Sequence, residues 1–190
     1  SDAENLLTRC LELAPGFKAA RHNYAVVLHR NNKPVEALAQ IDQLLAAEPR
    51  SPSFRNLRAT VLARIGEYDE AIRLYEQLLR EYPLHGKVWL SYGHALKTAG
   101  RQDDSIAAYR KSIELEPRLG EAYWSLANLK TFRFDDADVA AMRTQLERSD
   151  LTQEDRFHFH FSLGKAAEDS MDYAESFRHY AEGNRLRKEV

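Results

Sequence analysis

The sequence predicts an all-α solenoid, a stack of helix hairpins repeated along the chain, and three observations predict it. Prolines stand at Pro15, Pro49, Pro83 and Pro117, 34 residues apart each time, and each follows a helix-forming stretch (LELAP, AAEP, REYP, LEP). Proline lacks the amide N–H and clashes with the preceding turn, so a stop at constant spacing marks one unit repeated. Asn32, Gly66 and Gly100, also 34 apart, sit where the first helix of each unit must end. A left-handed residue costs least there if it is Gly, or failing that Asn. Glycine and proline number only 8 and 6 in 190 residues, while Ala, Leu, Arg and Glu are abundant, which suits helix.

Residues 1–15 match only the second helix of a unit. Leu6, Leu7, Cys10, Leu11 and Leu13 make this orphan helix apolar on more than one side, which favours repeats upstream of Ser1 over a polar cap. Its exposed apolar face is expected to support self-association. Residues 16–119 form three regular repeats. In them small residues recur at the eighth place (Ala25, Ala59, Gly93) and the twentieth (Ala37, Ala71, Ser105), where two helices approach closely. Arg58 departs from the pattern: it takes the seventh place, usually apolar, and snorkelling of its charge to the edge is expected. Residues 120–152 begin a fourth unit in phase (GEAYWSLA), which breaks at KTFRFDDADV. A helix over about Asp136–Arg148 then puts Val139, Met142 and Leu146 on one face. The loop SDLTQED follows, with Thr152 and Asp155 spaced as an N-cap pair. Residues 153–190 restore the motif as a fifth unit through Phe159, Leu163-Gly164, Ala167, Tyr173, Ser176 and Tyr180. The expected total is eleven helices in one array over 1–190.

These marks, in phase over three consecutive units, closely resemble the tetratricopeptide repeat. The resemblance implies a right-handed superhelix whose first helices line a concave binding face. It places His22, Val26, His29 and Arg30 on that face in the first full unit, then Ser53, Asn56, Thr60 and Arg64, then Lys87, Leu90, His94 and Lys97. Glu121, Trp124 and Asn128 follow, and His158, Phe161, Lys165 and Glu168 close the series. The candidate ligand-binding residues are Asn56, Arg64, Lys87, His94, Lys97, Trp124 and Asn128. The two asparagines suit an extended backbone, the cations suit a carboxylate, and Trp124 suits an anchor. Arg64, Lys87, His94 and Lys97 are expected to form one positive patch unless Glu67, Asp103 and Asp104 neutralise it. Some tetratricopeptide proteins clamp a chaperone's C-terminal carboxylate with Lys, Asn and Asn. Here His22, Val26 and Leu57 stand at those places, against that partner. An asparagine ladder like that of sugar-transferring relatives is also missing, since Leu57, Ser91 and Ser125 follow Asn23.

The sequence carries no catalytic signature. The glycines are scattered at repeat positions, with no phosphate-binding loop. Asp103-Asp104 and Asp135-Asp136 start helices, where negative charge meets the helix dipole. His158 and His160 lie two apart, on different helix faces, and His22 and His29 are two turns apart, so no metal site is expected. Cys10, the only cysteine, permits no internal disulfide and fits a reducing, cytoplasmic setting. A net charge of −2 gives no basis for nucleic acid or a membrane surface as partner. No apolar run reaches the roughly 18–20 residues of a membrane span. No cofactor is expected, and the partner is a protein or peptide, with acidic segments favoured.

The tail adds a second resemblance. ANLKTFRFDDADVAAM, LTQEDRFHFHFSLGKAAED and DYAESFRHYAEGNRLR, within Ala127–Arg187, look like a linker in bacterial proteins whose tetratricopeptide repeats precede a sulfotransferase domain. That resemblance implies the recognition arm of a larger enzyme using phosphoadenylyl sulfate, with no catalytic residue in this chain. A freestanding interaction scaffold is the primary expectation.

Overall fold

The helix stops read from the prolines recur in three dimensions. A computed structural model describes residues 2–190. It contains α1 (Asp2–Leu13), α2 (Lys18–Arg30), α3 (Pro34–Ala47), α4 (Pro52–Ile65), α5 (Tyr68–Glu81) and α6 (Gly86–Thr98). Then come α7 (Gln102–Leu115), α8 (Gly120–Ala127), α9 (Asp136–Leu146), α10 (Gln153–Asp169) and α11 (Tyr173–Arg187). The ends of α1, α3, α5 and α7 lie 34 residues apart, as do the starts of α2, α4, α6 and α8. Among the described residues there are eleven helices and no strand. The helices fall into two compact units, Ser1–Pro83 with Ala95–Arg101, and Leu84–His94 with Gln102–Val190.

The turns inside the hairpins are left-handed where expected, with φ of 58° at Asn32, 94° at Gly66 and 79° at Gly100. The fifth hairpin makes the same turn at Met171, with φ of 64° and a side chain mostly in solvent. A Cβ in that region crowds the following carbonyl, so this turn is strained.

Close packing within a hairpin follows one rule of spacing. Ala25, Ala59, Gly93 and Gly164 each precede a bulky residue by sixteen positions: Ile41, Tyr75, Tyr109 and Tyr180. Ala25, Ala59, Ile41, Tyr75 and Tyr109 are essentially solvent-free. A Cβ added to Gly93 would meet the Tyr109 ring at 2.5 Å, and one added to Gly164 would meet the Tyr180 ring at 2.9 Å. Arg58, for which snorkelling was expected, is instead paired: it donates to Asp42 at 3.3 Å and to Glu70 at 2.6 Å, joining α3, α4 and α5.

The fourth unit is rebuilt. α8 is only eight residues long, and α9 ends at Leu146, short of the expected Arg148. Asp135 and Asp138 form a capping box at the start of α9. Arg110 of α7 grips the Asp138 carboxylate with both guanidinium arms and lies 5.1 Å over the Phe132 ring. Tyr123, Met142 and Phe159 fill the core beneath, and burial pushes the Tyr123 hydroxyl up to about 12. The Thr152 cap appears as read, with its hydroxyl accepting from the Asp155 N–H at 3.1 Å.

In α1 no residue is fully buried: Leu7, Cys10 and Leu11 are half-covered, while Leu6 and Leu13 stand in solvent. Glu4 ties the helix to the turn after α2 through Asn31 at 2.9 Å and Lys33 at 2.6 Å.

Two substitutions test this packing. Gly93→Ala, forced against Tyr109, is expected to cost about 1–3 kcal/mol, read as a lower midpoint of thermal unfolding by circular dichroism. Met171→Gly relieves the left-handed turn with little loss of buried area and is expected to stabilise by roughly 0.5–1 kcal/mol. A neutral or destabilising result in chemical denaturation would show the turn to be unstrained.

Candidate functional site

The first helices of the hairpins carry six of the seven candidate residues, Asn128 caps α8, and each compact unit arranges its own share. In the first unit, Asn56 of α4 is half-buried, and its Oδ1 is shielded from solvent without a hydrogen-bond partner. One turn on, the Thr60 hydroxyl donates to the Asn56 carbonyl at 3.0 Å and lies 2.8 Å from the Tyr75 hydroxyl. Arg64, in the last turn of α4, is exposed. Its charge reaches His29 of α2, whose imidazole is pushed down first by burial and then by Arg64 and Arg30. His29 Nδ1 is likewise buried and unpaired. His22 stands 3.3 Å from the Ser53 hydroxyl and beside the Phe54 ring. Lys97, in the last turn of α6, is exposed.

In the second unit, His94 is half-buried and bound on both ring nitrogens: Nδ1 lies 3.0 Å from the Tyr109 hydroxyl and Nε2 3.4 Å from Glu121 Oε1. The hydrogen bond from His94 holds the Glu121 carboxyl below its ordinary range against the opposing effect of burial, with His158 and Lys87 adding to the lowering. Burial, then the Glu121 charge, pushes the Tyr109 hydroxyl up. His158 is driven down by burial, with Glu121, Glu154 and Asp155 pulling the other way, and its Nδ1 is buried without a partner. Trp124 is half-buried with its ring centroid 5.3 Å from that of Phe161, and Phe161 lies 6.5 Å from Tyr180. Asn128 caps α8 and donates to the Trp124 carbonyl at 3.0 Å, so part of its amide is spent locally. Lys87 is exposed and lines a cleft of about 160 Å³ with Glu116, Arg118 and Asp155.

Thus Arg64 and Lys97 belong to the first unit and Lys87 and His94 to the second. The carboxylate that meets His94 is Glu121, whereas the sequence pointed to Glu67, Asp103 and Asp104 as the neutralising acids. Sequence reasoning also missed the tyrosine hydroxyls beneath Thr60 and His94. The sixteen-residue spacing was the available signal, because it sets each tyrosine under the residue that follows the small one. No group of three or more histidine, cysteine or carboxylate side chains among the described residues is placed to hold a metal ion. No helix there is long and apolar enough to cross a membrane.

The fold and this face define a helical-hairpin repeat protein. The tetratricopeptide repeat family model matches residues 1–53, 28–84 and 56–118, so the chain belongs to the tetratricopeptide repeat family. No curated protein sequence matches it. Among solved structures it is similar to MamA from Desulfovibrio magneticus RS-1 (residues 41 to the end), with 20% identity, 92% of this chain and 97% of that one covered, and a TM-score of 0.59. A further MamA crystal structure aligns over 98% of this chain and 87% of its own, at 13% identity and a TM-score of 0.54. Human IFIT1, solved as a dimer with PPP-AAAA, is 18% identical over 95% of this chain, with a TM-score of 0.71. This chain spans 44% of that one. These likenesses establish a shared fold.

The His94–Glu121 contact gives a direct prediction. A lowered carboxyl pKa stabilises the folded state above the ordinary carboxylate range, and that contribution is lost as pH falls through the folded value. In His94→Leu, the Glu121 carboxyl is expected to titrate at higher pH than in the unsubstituted chain, followed by carbon NMR of the side chain. An unchanged midpoint would remove His94 from this role.

Proposed function

We propose that this chain is a non-catalytic scaffold that binds a protein or peptide segment along the first-helix face of its hairpins. Asn56 is the observation that carries the reading. A buried amide oxygen left unpaired costs about 1–3 kcal/mol, and Asn56 is half-buried on the first-helix face with its Oδ1 in that state. A main-chain N–H of an extended segment is its natural complement. Arg64 and Lys97 supply positive charge in the same unit, which favours an acidic segment. In the second unit, Trp124 offers an aromatic anchor, His94 is already fixed from below, and Lys87 and Asn128 complete the set. The net charge of −2 favours a peptide over RNA, although IFIT1 was solved with PPP-AAAA. A cytoplasmic setting accords with a single half-covered cysteine.

A second reading rests on the stretch Ala127–Arg187, all of which lies outside the family match. It makes this chain the recognition arm of a larger sulfotransferase. The gene downstream of Val190 decides it: a nucleotide-sulfate-binding domain in frame supports this reading, and a stop codon there ends it.

The scaffold reading is tested with a fluorescent twelve-residue peptide of alternating Glu and Ala, by anisotropy at about 0.05 and 0.3 M salt. The unsubstituted chain is expected to bind it more weakly at the higher salt. Arg64→Ala/Lys97→Ala is expected to bind roughly tenfold more weakly at low salt, about 1.4 kcal/mol. Equal binding by both proteins, or binding by neither, overturns the assignment of these residues.

A further inference from the structure

The fifth hairpin holds two histidines in direct contact. His160 of α10 and His179 of α11 are both largely shielded, and their Nδ1 atoms lie 3.0 Å apart. The ring centroids lie 5.2 Å apart, farther than the nitrogens by about two ring radii. The nitrogens therefore meet head-on. A metal ion bonded to both nitrogens at about 2.0–2.1 Å would have to lie well off the line joining them, away from both lone pairs. A head-on pair at this distance is an N–H···N hydrogen bond.

That bond needs one Nδ1 proton and one Nδ1 lone pair. On the far side of His179, Nε2 lies 3.6 Å from Glu175 Oε1, which favours a proton on Nε2 and leaves His179 Nδ1 as the acceptor. His160 Nδ1 is then the donor. A first added proton goes to His160 Nε2, giving an imidazolium that still donates through Nδ1, and the bond becomes charge-assisted. A second proton has only His179 Nδ1 to occupy. It sets two N–H groups and two positive charges against each other at the contact. We propose that this pair is a proton-counting latch on the α10–α11 hairpin, which holds with no added proton or one and loosens with two.

The surroundings work in the same direction. Charges facing the pair are Arg156 on α10, Arg143 on α9, and Glu175, Arg178, Glu182 and Arg185 on α11. The two carboxylates are already engaged, Glu175 by Arg143 at 2.6 Å and Glu182 by Arg185 at 2.6 Å. Arg156 is held by the carbonyls of Leu146 and Arg148. Burial, the largest effect, pushes both imidazoles down, so the pair is neutral at pH 7. An imidazole whose pKa is lowered by folding stabilises the fold above the unfolded value, about 6.5. That stability drains away as pH falls below it toward the folded value, because the unfolded chain binds more protons. The same hairpin carries Phe161, against which Trp124 and Tyr180 both pack. Loosening it would disturb that aromatic face, a consequence that rests on the binding role proposed above.

Two experiments on the full chain test the latch without any partner. Nitrogen NMR of the imidazoles is expected to show His160 and His179 titrating in two steps more than one pH unit apart, as coupled groups do. A single shared step in the ordinary histidine range overturns the proposal. Thermal unfolding from pH 8 to 5 is then compared between the natural chain and His160→Gln/His179→Gln, which cannot titrate there and leaves the other five histidines in place. The natural chain is expected to lose folding equilibrium constant in acid faster than the variant, by up to about tenfold per pH unit for each proton. Amide exchange should rise first in α11. Parallel pH curves, or loss of protection beginning elsewhere, would sink the idea. If the variant fails to fold, the NMR titration of the natural chain decides alone.

Discussion

A second helix can lie close against the first only where the first offers almost no side chain, and this chain meets that requirement with residue pairs sixteen apart. Ala25 with Ile41, Ala59 with Tyr75, Gly93 with Tyr109 and Gly164 with Tyr180 each set a small residue beneath a bulky one. An aromatic side chain buries about 150–250 Å², so a few kcal/mol of apolar transfer depend on each small residue remaining small. The exception defines the fourth unit. There Ala127 is followed at the same spacing by Arg143, which is exposed and bound to Glu175. With no bulky partner for Ala127, α8 stops after eight residues. The core is closed instead by Met142, Phe159 and the Arg110–Asp138 clamp. The irregularity is thus a different packing solution, one that needs extra chain between α8 and α9.

The same pairs join the core to the first-helix face. A tyrosine that fills the space above the small residue carries its hydroxyl onward, to Thr60 from Tyr75 and to His94 from Tyr109. Buried hydroxyls need partners, and the neighbouring first-helix residue provides one. In the first full hairpin Ile41 has no hydroxyl, and the corresponding residue, Val26, asks for none. First-helix residues in the regular hairpins are therefore held from beneath, Thr60 by Tyr75 and His94 by Tyr109.

The helices and their stops were legible because proline, glycine and small residues act locally and recur in phase. Gly66 and Gly100 announce their own φ. Met171 makes the same turn with a residue that gives no such signal, so only the coordinates reveal it. Arg58 reads as an intruder in a core position because its partners, Asp42 and Glu70, lie on two other helices. The histidines mark the clearest limit. Along the sequence His160 stands near His158, with which it shares no face. Its actual partner is His179, nineteen residues away across a hairpin. Periodicity tells which residues share a helix face, while pairing across helices depends on register, which a few residues of loop can shift.

The face also differs in character between the two units in a way that overall charge conceals. Around His29 stand Arg30 and Arg64, while around His158 stand Glu121, Glu154 and Asp155. In both settings burial is the larger effect and keeps the imidazole neutral at pH 7. A neutral imidazole can donate from one nitrogen and accept at the other, and the tautomer follows whichever partner arrives. Both histidines leave Nδ1 buried and unpaired. Each of these buried nitrogens can thus take either the donor or the acceptor role, whereas Asn56 Oδ1 can only accept.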